Sequence, residues 1–336
     1  MRSPKVSVLI TTYNRRQMLR KAIDSALEQT YRPDCIEILV VDDGSTDGTQ
    51  ELFAQEYAHP RIRYIRKANG GPCSATQLGV SEARGEFIAT LDSDDFWYPH
   101  KIETCIPLFA QSEDVVGVVH NLDLVHAGLG GAIRGTWWGD KGVTIGREPQ
   151  DIVAAYMAGM AFRVVTSGSV WRRSTLDSIM PFPEGMWGMH DAYFFRHGML
   201  LGRLCGINES LGAYFVHENN VSGIGSSKAD QDESVLRRSF REALALTDSF
   251  NRRCTLRGIE VPESRRIVQR QTLTEIETRL AKAKGGILSA LQCLAKNEQR
   301  LPRTVQAEIA IDLLFPTRLA AVIRNRLLAR WKPRLG

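Results

Sequence analysis

Short apolar runs alternate with segments of helical spacing over residues 5–120. The apolar runs are rich in Val, Ile and Leu, and they predict buried strands at 6–12, 36–41, 62–65, 87–91 and 115–120. Helical spacing and helix-capping residues predict helices over 15–29, 50–57, 72–83 and 100–109. Strands that alternate with helices predict an α/β fold with a mostly parallel central sheet flanked by helices.

The pattern is less regular after residue 120. The glycine-rich stretch 128–146 predicts loops or a hairpin at the edge of the sheet, and 166–172 is a short strand-like run. A loop enters a helix within 186–202, and a further strand within 213–223 runs into a polar turn. From about residue 225 the apolar spacing predicts helices over 229–255, 263–284, 287–296 and 304–314.

The positive charge of the chain is concentrated at its C-terminal end. The net charge is +5, yet residues 316–336 alone carry six basic and no acidic residues. A basic amphipathic helix with Trp331 fits either the surface of an anionic membrane or a place against the protein itself. Because few aromatic residues accompany the charge, we expect no nucleic-acid binding.

Composition bounds the class of protein further. The 336 residues are 43% hydrophobic and 24% charged, as in ordinary globular proteins. We find no membrane-spanning run and no signal peptide, and therefore expect a cytoplasmic protein. The six cysteines form no CxxC pair, which argues against a disulfide framework or a zinc site.

Polar clusters follow three of the predicted strands. These clusters are TTYN at 11–14, the Asp42-Asp43 pair, and DSDD at 92–95. Because ligands of parallel sheets bind at the carboxyl ends of the strands, we expect the clusters to share one crevice. Three carboxylates within four residues repel one another unless a cation lies among them, although an isolated acidic turn can also be a solvated helix cap.

Two common nucleotide-binding motifs are absent from the sequence. The turn after the first strand reads TTYNRR and contains no glycine, so it is not the G-x-G-x-x-G turn of a dinucleotide-binding protein. No GxxxxGK[ST] phosphate loop is present either. The crevice therefore needs another explanation.

Four blocks of the sequence, in order, resemble the inverting glycosyltransferases of family 2, which have the GT-A fold. The blocks are VSVLITTYNR, VVDDGSTDGT, KANGGP and GEFIATLDSDDFWYPHKIE. They cover about residues 5–105, and a looser likeness continues to about 223. The resemblance implies a nucleotide-sugar-binding and catalytic GT-A domain over 1–224, followed by a helical region over 225–336.

The resemblance also implies which residues bind the nucleotide. Thr11 and Tyr13 match residues that seat the base, with the tyrosine ring stacked on it. Asp43 matches the carboxylate that hydrogen-bonds the base, and Asp92 matches the one that faces the ribose. Asn69, within KANGGP, belongs with this nucleotide-binding set.

Metal and catalytic roles follow from the same matches. Asp94 is expected to bind the divalent ion, Mn²⁺ or Mg²⁺, with Asp95 and His217 as further candidates for the metal site. Asp191, in MHDAYFF, falls where the family keeps its catalytic base. Taken without the resemblance, Asp191 could be a helix N-terminal acid and His217 a polar turn residue.

One departure from the family pattern concerns phosphate binding. After KANGGP the family usually has an Arg-Asn pair whose arginine reaches toward the diphosphate, whereas this chain has Thr76 and Gln77. Arg66, Lys67 or another basic residue would have to neutralise the phosphates, or the donor would be held differently. The departure bears on the identity of the donor more than on the class of reaction.

The resulting prediction is a metal-dependent inverting glycosyltransferase that moves a sugar from a nucleotide-sugar, with a UDP-sugar favoured. Its acceptor would be a hydroxyl of a glycan or of a lipid-linked molecule, in polysaccharide or glycolipid synthesis. Two alternatives stay open. A nucleotidyltransferase also uses metal-binding aspartates, and a catalytically silent protein could bind or scaffold sugar nucleotides.

Overall fold

The computed structural model describes residues 5–140, 150–157, 164–217, 220, 233–296, 306, 309 and 310. Within these ranges the chain forms one mixed sheet of ten strands, in the spatial order β3-β2-β1-β4-β9-β6-β10-β5, with β7 beside β6 and β8 beside β10. The strands are β1 (Val6–Thr12), β2 (Ile36–Asp42), β3 (Ile62–Arg66), β4 (Phe87–Asp92), β5 (Phe96–Trp97), β6 (Val115–His126), β7 (Ala132–Thr136), β8 (Gln150–Asp151), β9 (Ser169–Arg172) and β10 (Arg203–Val216).

Helices cover the sheet, and the longest two lie in the C-terminal third. They are α1 (Arg16–Leu27), α2 (Thr49–Glu56), α3 (Pro72–Glu82), α4 (Lys101–Cys105), α5 (Trp137–Asp140), α6 (Val153–Met157), α7 (Arg173–Ile179), α8 (His190–Gly198), α9 (Glu233–Leu256) and α10 (Glu263–Lys296). A 3₁₀ turn over Ile106–Ala110 replaces the second half of the helix predicted at 100–109. The cause is Pro107, which has no backbone N–H for an α-helical hydrogen bond.

The N-terminal half of the sheet is parallel, as predicted. β1 pairs in parallel with β2 on one side and with β4 on the other. In this register Thr12 lies opposite Asp42, and Thr11 lies opposite Asp92. The polar residues that end these three strands therefore meet at one edge of the sheet.

Alternate residues of β1 face two separate cores. Val8 and Ile10 pack with Leu19 and Ile23 of α1 on one face. Leu9 points to the other face, where its core also contains α3 and the aromatic residues of α8. Because both faces of the strand are buried, its sequence is a continuous apolar run rather than an alternating one.

The second half of the sheet is mixed. β9 runs antiparallel to both β4 and β6 and lies between them. The segment 166–172, predicted as one strand, begins with a 3₁₀ turn at Thr166–Gly168 before β9 starts. The hairpin predicted within 128–146 is present as β7, which pairs antiparallel with β6; residues 141–146 lie outside the described ranges.

β10 is longer than predicted. It starts at Arg203, ten residues before the predicted strand, and runs parallel to β6 with register shifts between Ile207 and Ala213. One of the shifts spans Asn208 and Glu209, polar residues that interrupt the apolar pattern and hide the strand in the sequence. The end of β10 reaches β5, where Ala213 lies opposite Phe96.

The C-terminal helices pack on the sheet domain through α8 and α9. His197 of α8 hydrogen-bonds through Nε2 to the hydroxyl of Ser249 of α9 at 3.0 Å. α10 is one helix through Gly285 and Gly286, so the predicted break between 284 and 287 is wrong. Each internal glycine costs a helix about 1 kcal/mol, which is less than a long helix gains by packing on a neighbour.

Some predictions fall on residues outside the described ranges. The helix predicted at 304–314 is described only at 306, 309 and 310, and the basic segment 316–336 is not described at all. Among the described helices, none combines the length and the apolar character needed to cross a membrane.

Candidate active site

Three carboxylates crowd the end of β4. One oxygen from each of Asp92, Asp94 and Asp95 lies within 4.8 Å of the others. Burial, and then the charges of Asp94 and Asp191, raise the pKa of Asp92 to about 7. Burial and the same crowding raise the pKa of Asp95 well above its usual value. A divalent cation that prefers oxygen ligands, such as Mg²⁺ or Mn²⁺, would relieve this repulsion, so the residues present fit such an ion.

The three carboxylates differ in their partners. Asp95 is 1% exposed, and both of its oxygens are engaged: Oδ1 accepts from the backbone N–H of Phe215 at 2.9 Å, and Oδ2 accepts from the hydroxyl of Ser167 at 2.5 Å. Its neighbour Asp94 instead contacts side chains of the open crevice. Asp95 is therefore anchored inside the protein, whereas Asp94 contacts residues that line the cleft.

Two basic side chains meet at one oxygen of Asp94. Nε2 of His217 lies 2.9 Å from Oδ2, and the guanidinium of Arg15 forms an ion pair with the same oxygen. The structure thus brings His217 to the predicted metal site, although the two residues are 123 positions apart. Arg15 was not among the residues predicted for the metal site.

An open cleft of about 580 Å³ adjoins this cluster. Its lining includes Tyr13, Arg15, Arg16, Asp47 and His217. The ring of Tyr13 is 48% exposed, which suits a residue that stacks on a planar ligand. The cleft therefore combines an exposed aromatic residue with two arginines, and it borders the acidic cluster through Arg15 and His217, which both contact Asp94.

Asp43 ties the end of β2 to the turn at 67–71. It is 3% exposed and accepts hydrogen bonds from Nζ of Lys67 at 2.7 Å and from the backbone N–H of Gly70 and Gly71 at 3.0 and 2.7 Å. Asn69 lies on this turn with its side chain exposed. The preceding carboxylate, Asp42, instead accepts from the hydroxyl of Tyr64 at 2.5 Å.

The residues at the family's usual Arg-Asn positions carry no charge and lie elsewhere. Thr76 is buried in α3, and the amide oxygen of Gln77 accepts a hydrogen bond from the backbone of Phe182 at 3.2 Å. Lys67, one of the basic residues expected to replace them, is engaged with Asp43. Arg15, in contrast, contacts the acidic cluster directly.

Asp191 lies in the first turn of α8, at the N-terminus of a helix as predicted, and it is half-buried. Its Oδ1 accepts from the backbone N–H of Ala192 at 2.7 Å. The charge of Asp191 contributes to the raised pKa of Asp92, after burial and Asp94, which places it within electrostatic reach of the acidic cluster. A carboxylate outside the cluster therefore faces it from a separate helix.

A hydrogen-bonded chain joins α8 to β4. Nε2 of His190 lies 3.0 Å from the hydroxyl of Thr166, and that hydroxyl also hydrogen-bonds Asp92. Burial lowers the pKa of His190, so its ring is neutral at pH 7. When Asp92 is ionised it accepts from Thr166, and His190 then carries its proton on Nε2. His190 thus supports the site through Thr166.

The loop that precedes α8 is held by α9. One oxygen of the buried Glu242 accepts from the backbone N–H groups of Trp187 at 2.9 Å and Gly188 at 2.7 Å. The loop also contacts α3, because the backbone N–H of Cys73 donates to the carbonyl of Trp187 at 2.9 Å. Asp191 follows this anchor by only three residues.

Thr166, Ser167 and Glu242 were not predicted to belong to the site. Parallel strands of one sheet bring the residues that follow them to the same edge. Thr166 and Ser167 instead precede β9, which is antiparallel to β4. β9 starts at the edge where β4 ends, so its polar residues come before it. Glu242 sits in an amphipathic helix and gives no local signal at all.

Comparisons with known proteins identify the family of this chain. The family model described as Glycosyl transferase family 2 matches residues 7–163. A protein of Nostoc sp., itself described as an uncharacterized glycosyltransferase, is 33% identical over 232 residues, which are 68% of this chain and 70% of that protein. The chondroitin synthase of Pasteurella multocida is 39% identical over 118 residues, 35% of this chain but only 12% of the synthase.

Solved structures share the fold at low sequence identity. S. aureus TarS 1–349, in complex with UDP-GlcNAc, has a TM-score of 0.59 and 18% identity, covering 95% of this chain and 88% of its own. The mannosyltransferase PcManGT of Pyrobaculum calidifontis, in complex with GDP-Man and Mn²⁺, has a TM-score of 0.54 and 18% identity, covering 97% and 86%. Both support the GT-A fold predicted from the sequence.

Proposed function

Since this chain belongs to glycosyltransferase family 2, we propose that it transfers a sugar from a UDP-sugar to an acceptor hydroxyl, with a divalent metal and with inversion at the anomeric carbon. The acceptor that we propose belongs to a surface polysaccharide or a glycolipid. One observation carries the proposal: an acidic cluster borders an open cleft and lies within electrostatic reach of a separate carboxylate, Asp191.

The cleft supplies the groups that a nucleotide diphosphate needs. We assign the base to the exposed ring of Tyr13, with Thr11, Asp43 and Asn69 at the base and ribose side. Arg15 carries a positive charge beside Asp94 and takes over the neutralisation of phosphate that Thr76 and Gln77 cannot provide. The UDP-GlcNAc bound to TarS and the GDP-Man bound to PcManGT support a nucleotide-sugar donor of this kind.

The metal site that we propose consists of Asp94, with Asp92 and His217 beside it and Asp95 as support. A divalent cation held there would neutralise the charge that grows on the diphosphate leaving group. The Mn²⁺ of PcManGT supports Mn²⁺ as the ion. The protein prepares the site by holding Asp95 at both oxygens, so that Asp94 and Asp92 are the carboxylates left to face the ligand.

Asp191 is the general base in this proposal. It takes the proton from the acceptor hydroxyl, which attacks the anomeric carbon from the face opposite the diphosphate. A single displacement of this kind inverts the anomeric centre. The chain His190–Thr166–Asp92 and the anchor from Glu242 hold α8, and with it Asp191, in a fixed position relative to the acidic cluster.

Calorimetric titration of UDP, GDP and dTDP, each with and without Mn²⁺, tests the donor site. We expect one nucleotide to bind tightly only with Mn²⁺, and Asp94→Ala to abolish this metal dependence. Binding of no nucleotide under any condition would contradict the proposal. The nucleotide that binds identifies the class of the donor, so preference for GDP would overturn the UDP assignment alone.

Hydrolysis of the matching sugar nucleotide tests the role of Asp191. Asp191→Asn should keep the affinity for nucleotide and Mn²⁺ while turnover falls by about 10²–10⁴-fold, the usual worth of a general base. Unchanged turnover in Asp191→Asn would exclude Asp191 as the general base. A wild-type protein that binds the nucleotide but shows no turnover would favour the catalytically silent sugar-nucleotide binder over an enzyme.

A further inference from the structure

The hydroxyl of Ser167 joins the two ends of the acidic turn. Ser167 is fully buried, and its Oγ accepts a hydrogen bond from the backbone N–H of Asp92 at 3.0 Å while donating to Oδ2 of Asp95 at 2.5 Å. The turn is also closed by its own backbone, because the N–H of Asp95 donates to the carbonyl of Asp92 at 3.1 Å. One hydroxyl therefore contacts both the first and the last carboxylate residue of the cluster.

Ser167 is itself held from the side away from the cleft. Its carbonyl accepts from the indole N–H of Trp97 at 2.8 Å and from Nζ of Lys101 at 3.2 Å. Lys101 is completely buried, and its Nζ lies 3.2 Å from the centroid of a Trp97 ring. Trp97 and Lys101 follow the acidic turn closely in the chain. The turn is therefore connected to Ser167 in two ways, through the hydroxyl of Ser167 and through its carbonyl.

This arrangement determines which carboxylate meets a ligand. With Oδ2 bound to Ser167 and Oδ1 bound to the backbone of Phe215, Asp95 has no oxygen left without a protein donor. Asp94, between the two anchored residues, instead points its carboxylate at His217 and Arg15. Loss of the Ser167 hydroxyl would free one oxygen of Asp95 and leave the start of the turn unpinned.

We propose that Ser167 is a positioning residue of the metal site, which fixes the acidic turn so that Asp94 presents its carboxylate to a divalent cation. This inference rests on the proposed function. It concerns a residue outside the segment 7–163 that matches the family model. Residues that orient metal ligands in this way usually change metal affinity by about 10–100-fold when they are replaced.

Titration of Mn²⁺ in the presence of saturating UDP, followed by the electron paramagnetic resonance of free Mn²⁺, tests this role. Ser167→Ala should weaken Mn²⁺ binding by about tenfold or more. The affinity for UDP measured without metal should stay as in the wild type. Because Ser167→Ala leaves a buried N–H unpaired and could fail to fold, Ser167→Cys provides a second variant. Its thiol fills the space and is a weak donor, so its affinity for Mn²⁺ should lie between those of the wild type and Ser167→Ala.

Ser169→Ala is the matched control. Ser169 is also buried, and its hydroxyl contacts Thr90 at 2.9 Å and the indole of Trp171 at 3.0 Å, with no carboxylate partner among its described contacts. This variant should lose thermal stability as Ser167→Ala does, yet bind Mn²⁺ like the wild type. Equal Mn²⁺ affinity in the Ser167 and Ser169 variants would overturn the inference.

Failure of the proposed function gives a different result. If the wild-type protein itself shows no Mn²⁺-dependent binding of nucleotide, the metal site is wrong and the role of Ser167 falls with it. If the wild type binds and only the comparison of the variants fails, the proposed function stands and Ser167 is a packing residue.

Discussion

Replacement of Glu242 by alanine should reduce turnover, although Glu242 lies on a helix outside the sheet. Glu242 lies on α9, and one of its oxygens accepts from two consecutive backbone N–H groups, those of Trp187 and Gly188, at 2.9 and 2.7 Å. Hydrogen bonds to a charged group contribute about 1.5–3 kcal/mol each. If the loop stayed in place in Glu242→Ala, the loss of both hydrogen bonds would lower the stability of the protein by about 3–6 kcal/mol.

The loop can avoid most of this cost by moving into water, and this movement would carry Asp191 with it. We therefore expect Glu242→Ala to lose only about 2–3 kcal/mol in urea denaturation, since relaxation recovers part of the lost hydrogen bonding. Turnover of the sugar nucleotide should fall at least about tenfold, the effect of displacing a catalytic group. Metal-dependent nucleotide binding should change little, because Asp94 and Tyr13 lie on other elements.

Two further variants make this prediction sharp. Glu242→Gln keeps an acceptor oxygen without the charge and should show about half of the loss in stability. Glu233→Gln, on the same helix, removes one partner of a surface ion pair with Arg237 and should cost less than about 1 kcal/mol. Wild-type turnover in Glu242→Ala, or an equal effect in Glu233→Gln, would refute the argument that α9 positions the catalytic loop.

Three other predictions follow from local geometry. In Gly71→Ala the new Cβ would lie 2.3 Å from the indole nitrogen of Trp187, so nucleotide binding and turnover should both fall. Gly185 has the same φ of +87°, but a Cβ there would have nothing within 4 Å. Gly185→Ala should therefore show the backbone strain alone, a loss of about 1–2 kcal/mol of stability in urea denaturation. Arg15→Met should weaken metal-dependent binding of the nucleotide diphosphate about tenfold in calorimetry; wild-type affinity would exclude Arg15 from the phosphates. Burial lowers the pKa of His197 to about 4, so the unfolded chain, with a pKa near 6.5, binds a proton that the native protein excludes. Stability should therefore fall by about 2 kcal/mol from pH 7.5 to 5.0, and His197→Gln should remove this contribution.

The parallel half of the fold could be predicted closely from the sequence. β1 and β4 are continuous apolar runs because both of their faces are buried, and each ends at polar residues that mark the edge of the sheet. The errors lie where tertiary structure outweighs local pattern. Asn208 and Glu209 interrupt β10 without ending it, and two glycines within α10 do not end that helix.

The residues of the candidate site also differ in how well the sequence predicts them. Asp92, Asp94 and Tyr13 could be located from strand ends alone, because parallel strands deliver their last residues to one edge. His217 and Asp191 carry no such signal and were predicted only through the resemblance to family 2. Thr166, Ser167 and Glu242 escaped both approaches, since their roles arise from an antiparallel strand and a distant helix.

The place of β9 between β4 and β6 also determines when the site can form during folding. Thr90 of β4 and Ser169 of β9 are neighbours although they lie 79 positions apart in the chain. Contacts between distant positions form late, because the intervening chain must be ordered first. A nascent chain that ends at residue 163 has all three carboxylates and an unpaired edge on β4, but neither Ser167 nor β9. Such an intermediate would expose a strand edge that can pair wrongly, so the enzyme completes its proposed metal site and covers this edge in one step.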